Sequence, residues 1–143
     1  MNYLLDTCVI SELIKKQPDK NVINWISKVP EKSLFLCVFT IGEIHKGIEK
    51  LPESKKQSEL HDWINFDLKD RFENRILVFD LKASEKWGII QGKTELVGTP
   101  MSLIDGLISS IAITHEMILV TRNTKDMEAS GVSLLNPWNQ VLK

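Results

Sequence analysis

Five side chains in this sequence stand where oxygen chemistry at one edge of a sheet would need them. Asp6 ends the apolar run Tyr3-Leu-Leu. Glu43 comes four residues after the run Leu34–Phe39, in Thr40-Ile-Gly-Glu43. Asn123 and Asp126 follow the run Met117–Val120, in Thr121-Arg-Asn-Thr-Lys-Asp126. Asp105 falls in the first turn of the apolar stretch that leads into that run, behind the loop Gly98-Thr-Pro100. Hard oxygen donors with no cysteine or histidine at zinc spacing suit Mg²⁺ or Mn²⁺. Carboxylates gathered at one rim repel each other, a cost that bound cations offset.

Each residue also has a local reading. Asp6 or Thr7 can cap a first helix. Thr40 with Glu43, and Ser102 with Asp105, have the spacing of a capping box, and an acid in a first turn complements the helix dipole. Thr7 and Thr121 read either as donors that hold carboxylates in place or as satisfied turn hydroxyls. Arg122 lies beside the expected site, and Lys15, Lys16, Lys20, Lys46, Lys50, Lys55 and Lys56 give local basic density. These cations suit a phosphate backbone or a solvated face. His45 shares a helix with Glu43 but has no partner that would make a triad.

The elements needed to bring these residues together are legible as alternating periods. Tyr3–Leu5, Leu34–Phe39, Ile76–Phe79, Met117–Val120 and Val132–Leu135 are short, mostly continuous apolar runs, the pattern of strands buried on both faces. Between them lie helical faces: Val9, Ile10, Leu13 and Ile14; Ile41, Ile44, Ile48 and Leu51, stopped by Pro52; Leu60, Trp63, Ile64 and Leu68; Ala83, Trp87 and Ile90; and Ile104, Leu107, Ile108, Ile111 and Ala112. Strands alternating with helices predict an α/β fold, a three-layer α/β/α sandwich around a mainly parallel sheet of about five strands. Ligands of such sheets bind beyond the carboxyl ends of the strands, where the acids fall.

The 143 residues, 43% hydrophobic and 26% charged, suit one domain spanning residues 1–143. Eighteen Lys and Arg against 19 Asp and Glu leave a formal charge of −1. That balance excludes a basic protein that coats nucleic acid and an acidic disordered tail, but not an enzyme that recruits positive charge as metal ions. The start lacks a signal-peptide pattern, and no apolar run approaches the roughly 20 residues of a membrane span, so a cytoplasmic protein is expected. Cys8 and Cys37 read as buried free thiols.

Leu4-Leu-Asp-Thr-Cys-Val-Ile-Ser-Glu-Leu13, Thr40-Ile-Gly-Glu-Ile-His-Lys-Gly47, Leu103-Ile-Asp-Gly-Leu-Ile-Ser-Ser-Ile-Ala112, Val120-Thr-Arg-Asn-Thr-Lys-Asp126 and Asn136-Pro-Trp138, in this order, resemble a PIN domain. More narrowly they resemble the VapC and FitB ribonucleases, the toxin halves of prokaryotic toxin–antitoxin pairs. The resemblance implies that Asp6, Glu43 and Asp105 are the acidic ligands of Mg²⁺ or Mn²⁺, with Asn123 or Asp126 completing the set. Two departures stand out: Met127 replaces the usual phenylalanine, and Cys8 stands where D-T-N is usual.

The implied reaction is endonucleolytic RNA cleavage by a metal-activated water, leaving a 5′-phosphate. The implied partners are an RNA substrate, a small DNA-binding antitoxin and a second copy of the chain. Two alternatives stay open: a structure-specific DNA nuclease, and a degenerate module that only binds RNA or protein.

Overall fold

In a computed structural model describing residues 1–140, five parallel strands form one sheet in the order β3-β2-β1-β4-β5. The strands are β1 (Tyr3–Leu5), β2 (Leu34–Cys37), β3 (Ile76–Leu77), β4 (Ile118–Val120) and β5 (Leu134–Leu135). Central β1 pairs Tyr3 with both Leu34 and Ile118, and Leu4 with both Phe35 and Leu119.

Alternation of side chains along each strand divides the interior into two cores. Leu5, Leu34, Leu36 and Val120 face one way. They meet Val9 and Ile10 of α1 (Thr7–Leu13), Val22 and Trp25 of α2 (Lys20–Lys28), and Ile44 and Ile48 of α3 (Val38–Glu49). This layer is completed by a helical stretch in which α4 (Lys55–Asp62) passes through a π-helical segment, Trp63–Leu68, into α5 (Lys69–Arg71). Leu4, Cys37 and Leu119 face the other way, against Ala83 and Ile90 of α6 (Leu81–Leu96), Ile108 and Ile111 of α7 (Leu103–Thr114), and Met127 of α8 (Thr124–Met127). Neighbours Leu4 and Leu5 are both fully buried, in opposite cores. This explains why the strand runs are apolar without interruption.

The strands are shorter than the apolar runs. Val38 and Phe39 begin α3, and Val78 and Phe79 lie beyond β3. The register explains both: Cys37 pairs with Leu77, the last residue of its neighbour, so the ladder ends there. Phe39 and Phe79 pack edge to face instead, with ring centroids 5.5 Å apart, an arrangement aromatic rings prefer. Met117, Val132 and Ser133 also lie outside their strands.

Helix α2 is an element that hydrophobic spacing alone did not single out. Its start is set by Asp19, whose side chain accepts from Asn21 N at 2.8 Å and from Val22 N at 3.2 Å. Asp80 caps α6 through Ala83 N at 2.9 Å, and Ser102 caps α7 through Asp105 N at 3.3 Å. Among the described residues, no helix is long and apolar enough to cross a membrane.

Candidate active site

Asp6 is the first residue beyond β1 and only 6% exposed. Its backbone N–H still follows the sheet, donating to Val120 O at 2.9 Å. Its side chain begins α1, with Oδ1 accepting from Thr7 N at 2.8 Å. The other carboxylate oxygen, Oδ2, accepts from Thr121 Oγ1 at 2.8 Å. Thr121, fully buried at the end of β4, also accepts from Asn123 N at 3.1 Å. The Asp6 carboxylate is thus clamped between the ends of the two central strands.

Glu43 reaches the same place from α3. The structure removes its expected cap role: α3 starts at Val38, with Cys37 as N-cap residue. Thr40 is already the third residue of the helix, its hydroxyl 3.8 Å from Cys37 Sγ. Glu43 is a full turn further on, too far to cap that end. Its Oε1 instead accepts from Thr7 Oγ1 at 2.6 Å. One residue, Thr7, therefore serves Asp6 with its amide and Glu43 with its hydroxyl.

Asp105 keeps half of its expected capping box. Its amide donates to Ser102 Oγ, but among the described residues its carboxylate makes no return bond to Ser102. Asp105 lines a cavity together with Asp126. Gly106 shows how α7 is held here. A β-carbon at this position would run into Gln91 Oε1 and stand 3.3 Å from Trp87 Nε1. The glycine lets α6 seat directly behind Asp105, a role with no local sequence signal because Trp87 and Gln91 lie on a different helix.

The Asp6 carboxyl feels the charges of the other two acids. Burial pushes the Asp6 carboxyl above its ordinary value, the bonds from Thr121 and Thr7 pull it back, and the charges of Glu43 and Asp105 raise it further. A cation would relieve this stress. Among the described residues no three His, Cys, Asp or Glu side chains form a ready ligand cluster, but the donor chemistry fits a hard ion: the Asp6 and Glu43 carboxylates, each fixed by a threonine hydroxyl. Cys8 does not change that chemistry. Its Sγ lies 3.9 Å from Asp6 Oδ2 and accepts from Arg122 N at 3.5 Å, while burial and then the Asp6 charge push the thiol up, away from thiolate.

The remaining sequence candidates lie around this centre. Asn123 is exposed at the start of α8, with no side-chain capping bond. Asp126 is exposed on the same helix and is among the residues lining the cavity shared with Asp105. Arg122 has its guanidinium over the Trp138 ring, 5.1 Å from the centroid, so it anchors the Asn136-Pro-Trp138 segment.

The PIN domain family matches residues 3–129. The chain belongs to this family, in the branch that holds the VapC and FitB proteins. It is 32% identical to VapC ribonuclease Y4jK of Sinorhizobium fredii, over 94% of this chain and 96% of that one. It is 31% identical to toxin FitB of Neisseria gonorrhoeae, over 95% and 98%. Its structure superposes on that of FitAB bound to an IR36 DNA fragment with a TM-score of 0.90 and 31% identity, covering 99% of this chain and 97% of that one.

Proposed function

We propose that this protein is a metal-dependent endoribonuclease and the toxin of a VapBC-type toxin–antitoxin pair, acting as one domain in the cytoplasm. The observation that carries the reading is the placement of Thr7, which holds the Asp6 and Glu43 carboxylates side by side at the carboxyl edge of the sheet. Asp6, Glu43 and Asp105 would hold Mg²⁺ or Mn²⁺, with Asn123 or Asp126 completing the set. When bound, such a metal supplies a nucleophile by acidifying water and neutralises charge developing on the phosphoryl oxygens.

The protein's own part is to fix the carboxylates before substrate arrives. Thr121 and Thr7 hold Asp6 in one orientation, so little reorganisation is needed when charge develops on the phosphate. Ser102 pins the first turn of α7 and hence the Asp105 backbone. The N-terminus of that helix adds a favourable dipole for a phosphate approaching Asp105.

Two surfaces suit the expected partners. A groove of about 200 Å³ lined by Ile10, Leu13, Ile14, Trp63 and Leu68, with Asp67 and Arg71 at its edge, would receive an apolar segment of the antitoxin. The exposed Leu81, Ile89 and Leu96 of α6, its C-cap residue Val97 and Leu103 of α7 would pair two copies of the chain.

The test is incubation of the purified protein with structured RNA and with duplex DNA, in Mg²⁺, Mn²⁺ or EDTA. Cleavage of RNA alone, stopped by EDTA, is expected. Cutting of duplex DNA supports a DNA nuclease, and inertness with both metals supports a module that only binds.

A further inference from the structure

Helix α6 carries three lysines that the acidic rim does not use. At 3.6 residues per turn, Lys82, Lys86 and Lys93 share one stripe of this helix. Glu95 falls on the opposite side, and Glu85 falls among Leu81, Ile89 and Leu96 in the neighbouring stripe. Among the described residues none of the three lysines forms an ion pair.

Two small cavities lie along this stripe. One, of about 230 Å³, is lined by Lys86 and Lys93 with Ile90, Ile113, Ser130 and Gly131. The other, of about 240 Å³, is lined by Lys93, Leu96, Val97 and Thr99. They share Lys93 and Ala129, and Thr99 and Ala129 also border the cavity at the Asp105 end. The two therefore follow one another as a groove that leaves the rim and runs down the side of α6. From Val97 to Lys86 it covers roughly 16 Å at 1.5 Å per residue, the length of several stacked nucleotides at about 3.4 Å each. The wall opposite α6 is fixed: Ser130 Oγ donates to Met127 O at 2.7 Å and accepts from Val132 N at 3.2 Å. Gly131, at φ 79°, makes the left-handed turn that leads to β5.

Charge decides the occupant. No aspartate or glutamate lines either cavity, so two unpaired ammonium groups stand beside an apolar wall, an arrangement that attracts a polyanion. The rim is acidic, and its own side chains repel a phosphate chain. We propose that the groove holds the single-stranded RNA flanking the scissile phosphate, with Lys86 and Lys93 each meeting a backbone phosphate and the aliphatic wall meeting the bases. The inference rests on the ribonuclease reading and deepens it: affinity is carried by α6 and cleavage by the acids. Ile89 and Leu96, both exposed, form the outer lip, so a second copy paired through that face would border the strand.

The test is fluorescence anisotropy of a labelled oligouridylate of about ten nucleotides, within the usual site sizes of single-strand binders. It is run across a salt series, in EDTA so that nothing is cut, with the native chain and with Lys86→Gln/Lys93→Gln. Each phosphate contact to a single strand contributes about 0.7 to the slope of log affinity against log salt. The double variant should lose about 1.4 of that slope, and its affinity at about 0.1 M salt should fall roughly tenfold or more. Lys93→Gln alone, at an exposed position, should lose half as much slope, which keeps the test valid if Lys86→Gln disturbs folding. Lys28→Gln/Lys69→Gln removes the same charge from exposed positions on α2 and α5, across the sheet, and should bind as the native chain does. No binding by the native chain, an unchanged slope in the groove variants, or an equal loss in the control variant overturns the proposal. Cleavage kinetics on the same proteins separate the two readings, with a raised KM and an unchanged kcat expected for the groove variants. Groove-dependent binding without cleavage in Mg²⁺ or Mn²⁺ overturns the nuclease and keeps the groove, and cleavage at an unchanged KM overturns the groove alone.

Discussion

Thr7 Oγ1 donates to Glu43 Oε1 at 2.6 Å across 36 residues of sequence, tying the start of α1 to the second turn of α3. The same residue's amide holds Asp6 Oδ1, so the first acid and the second acid share one support. The spacing between them is set by a side chain that is neither of them.

Replacing Thr7 by Val keeps the amide bond to Asp6 and removes only the hydroxyl. Stability should fall by about 1 kcal/mol, while RNA cleavage falls by at least about tenfold as Glu43 loses its orientation. Thr7→Ser should recover most of the rate. Thermal melts and cleavage rates on the three proteins check this.

Glu43→Gln separates ligation from capping. Glu43 lies beyond capping reach of the α3 start, so the melting midpoint should stay within a few degrees while activity is lost. A marked drop in stability with activity retained would contradict this placement.

Thr121→Val takes the hydroxyl donor from Asp6 Oδ2 and leaves it only the long 3.9 Å contact from the Cys8 thiol. Losing a hydrogen bond to a buried charged group costs about 1.5 to 3 kcal/mol. Denaturant unfolding should show that loss, and added Mg²⁺ should restore part of it if the metal binds the folded state.

Gly106→Ala should destabilise by about 1 to 3 kcal/mol through overpacking against α6, because its new β-carbon meets Gln91. The double variant with Gln91→Ala should recover stability. An additive double variant would show that the contact is not responsible.

Glu12 supplies a pH dependence remote from the acids of the rim. The Lys15 ammonium, 2.8 Å away, and the Asp19 amide hold its carboxyl below the ordinary glutamate value. The folded-state pKa is therefore lower than the unfolded one. The stabilisation is fully present above the unfolded pKa and is lost as pH falls through the folded one. Melts across acid pH should show a smaller acid-induced loss for Glu12→Gln than for the native chain.

The fold class and the rim were legible because the signals are local: uninterrupted apolar runs for strands buried on both faces, and an acid just beyond β1. The register was not. Val38 and Phe39 look like strand residues, and only the short neighbouring β3 shows that the ladder stops at Cys37. The same boundary error made Thr40 look like a cap. Thr7 and Thr121 were recognised as possible supports, but which acid each one holds depends on contacts across 36 and 115 residues.

The most direct measurement is the rate at which Asp6→Asn cuts RNA in Mg²⁺, beside the native chain, with both proteins shown to be folded by melting. The account predicts EDTA-sensitive cleavage by the native chain and none above background by the variant. Cleavage by Asp6→Asn at the native rate would contradict it.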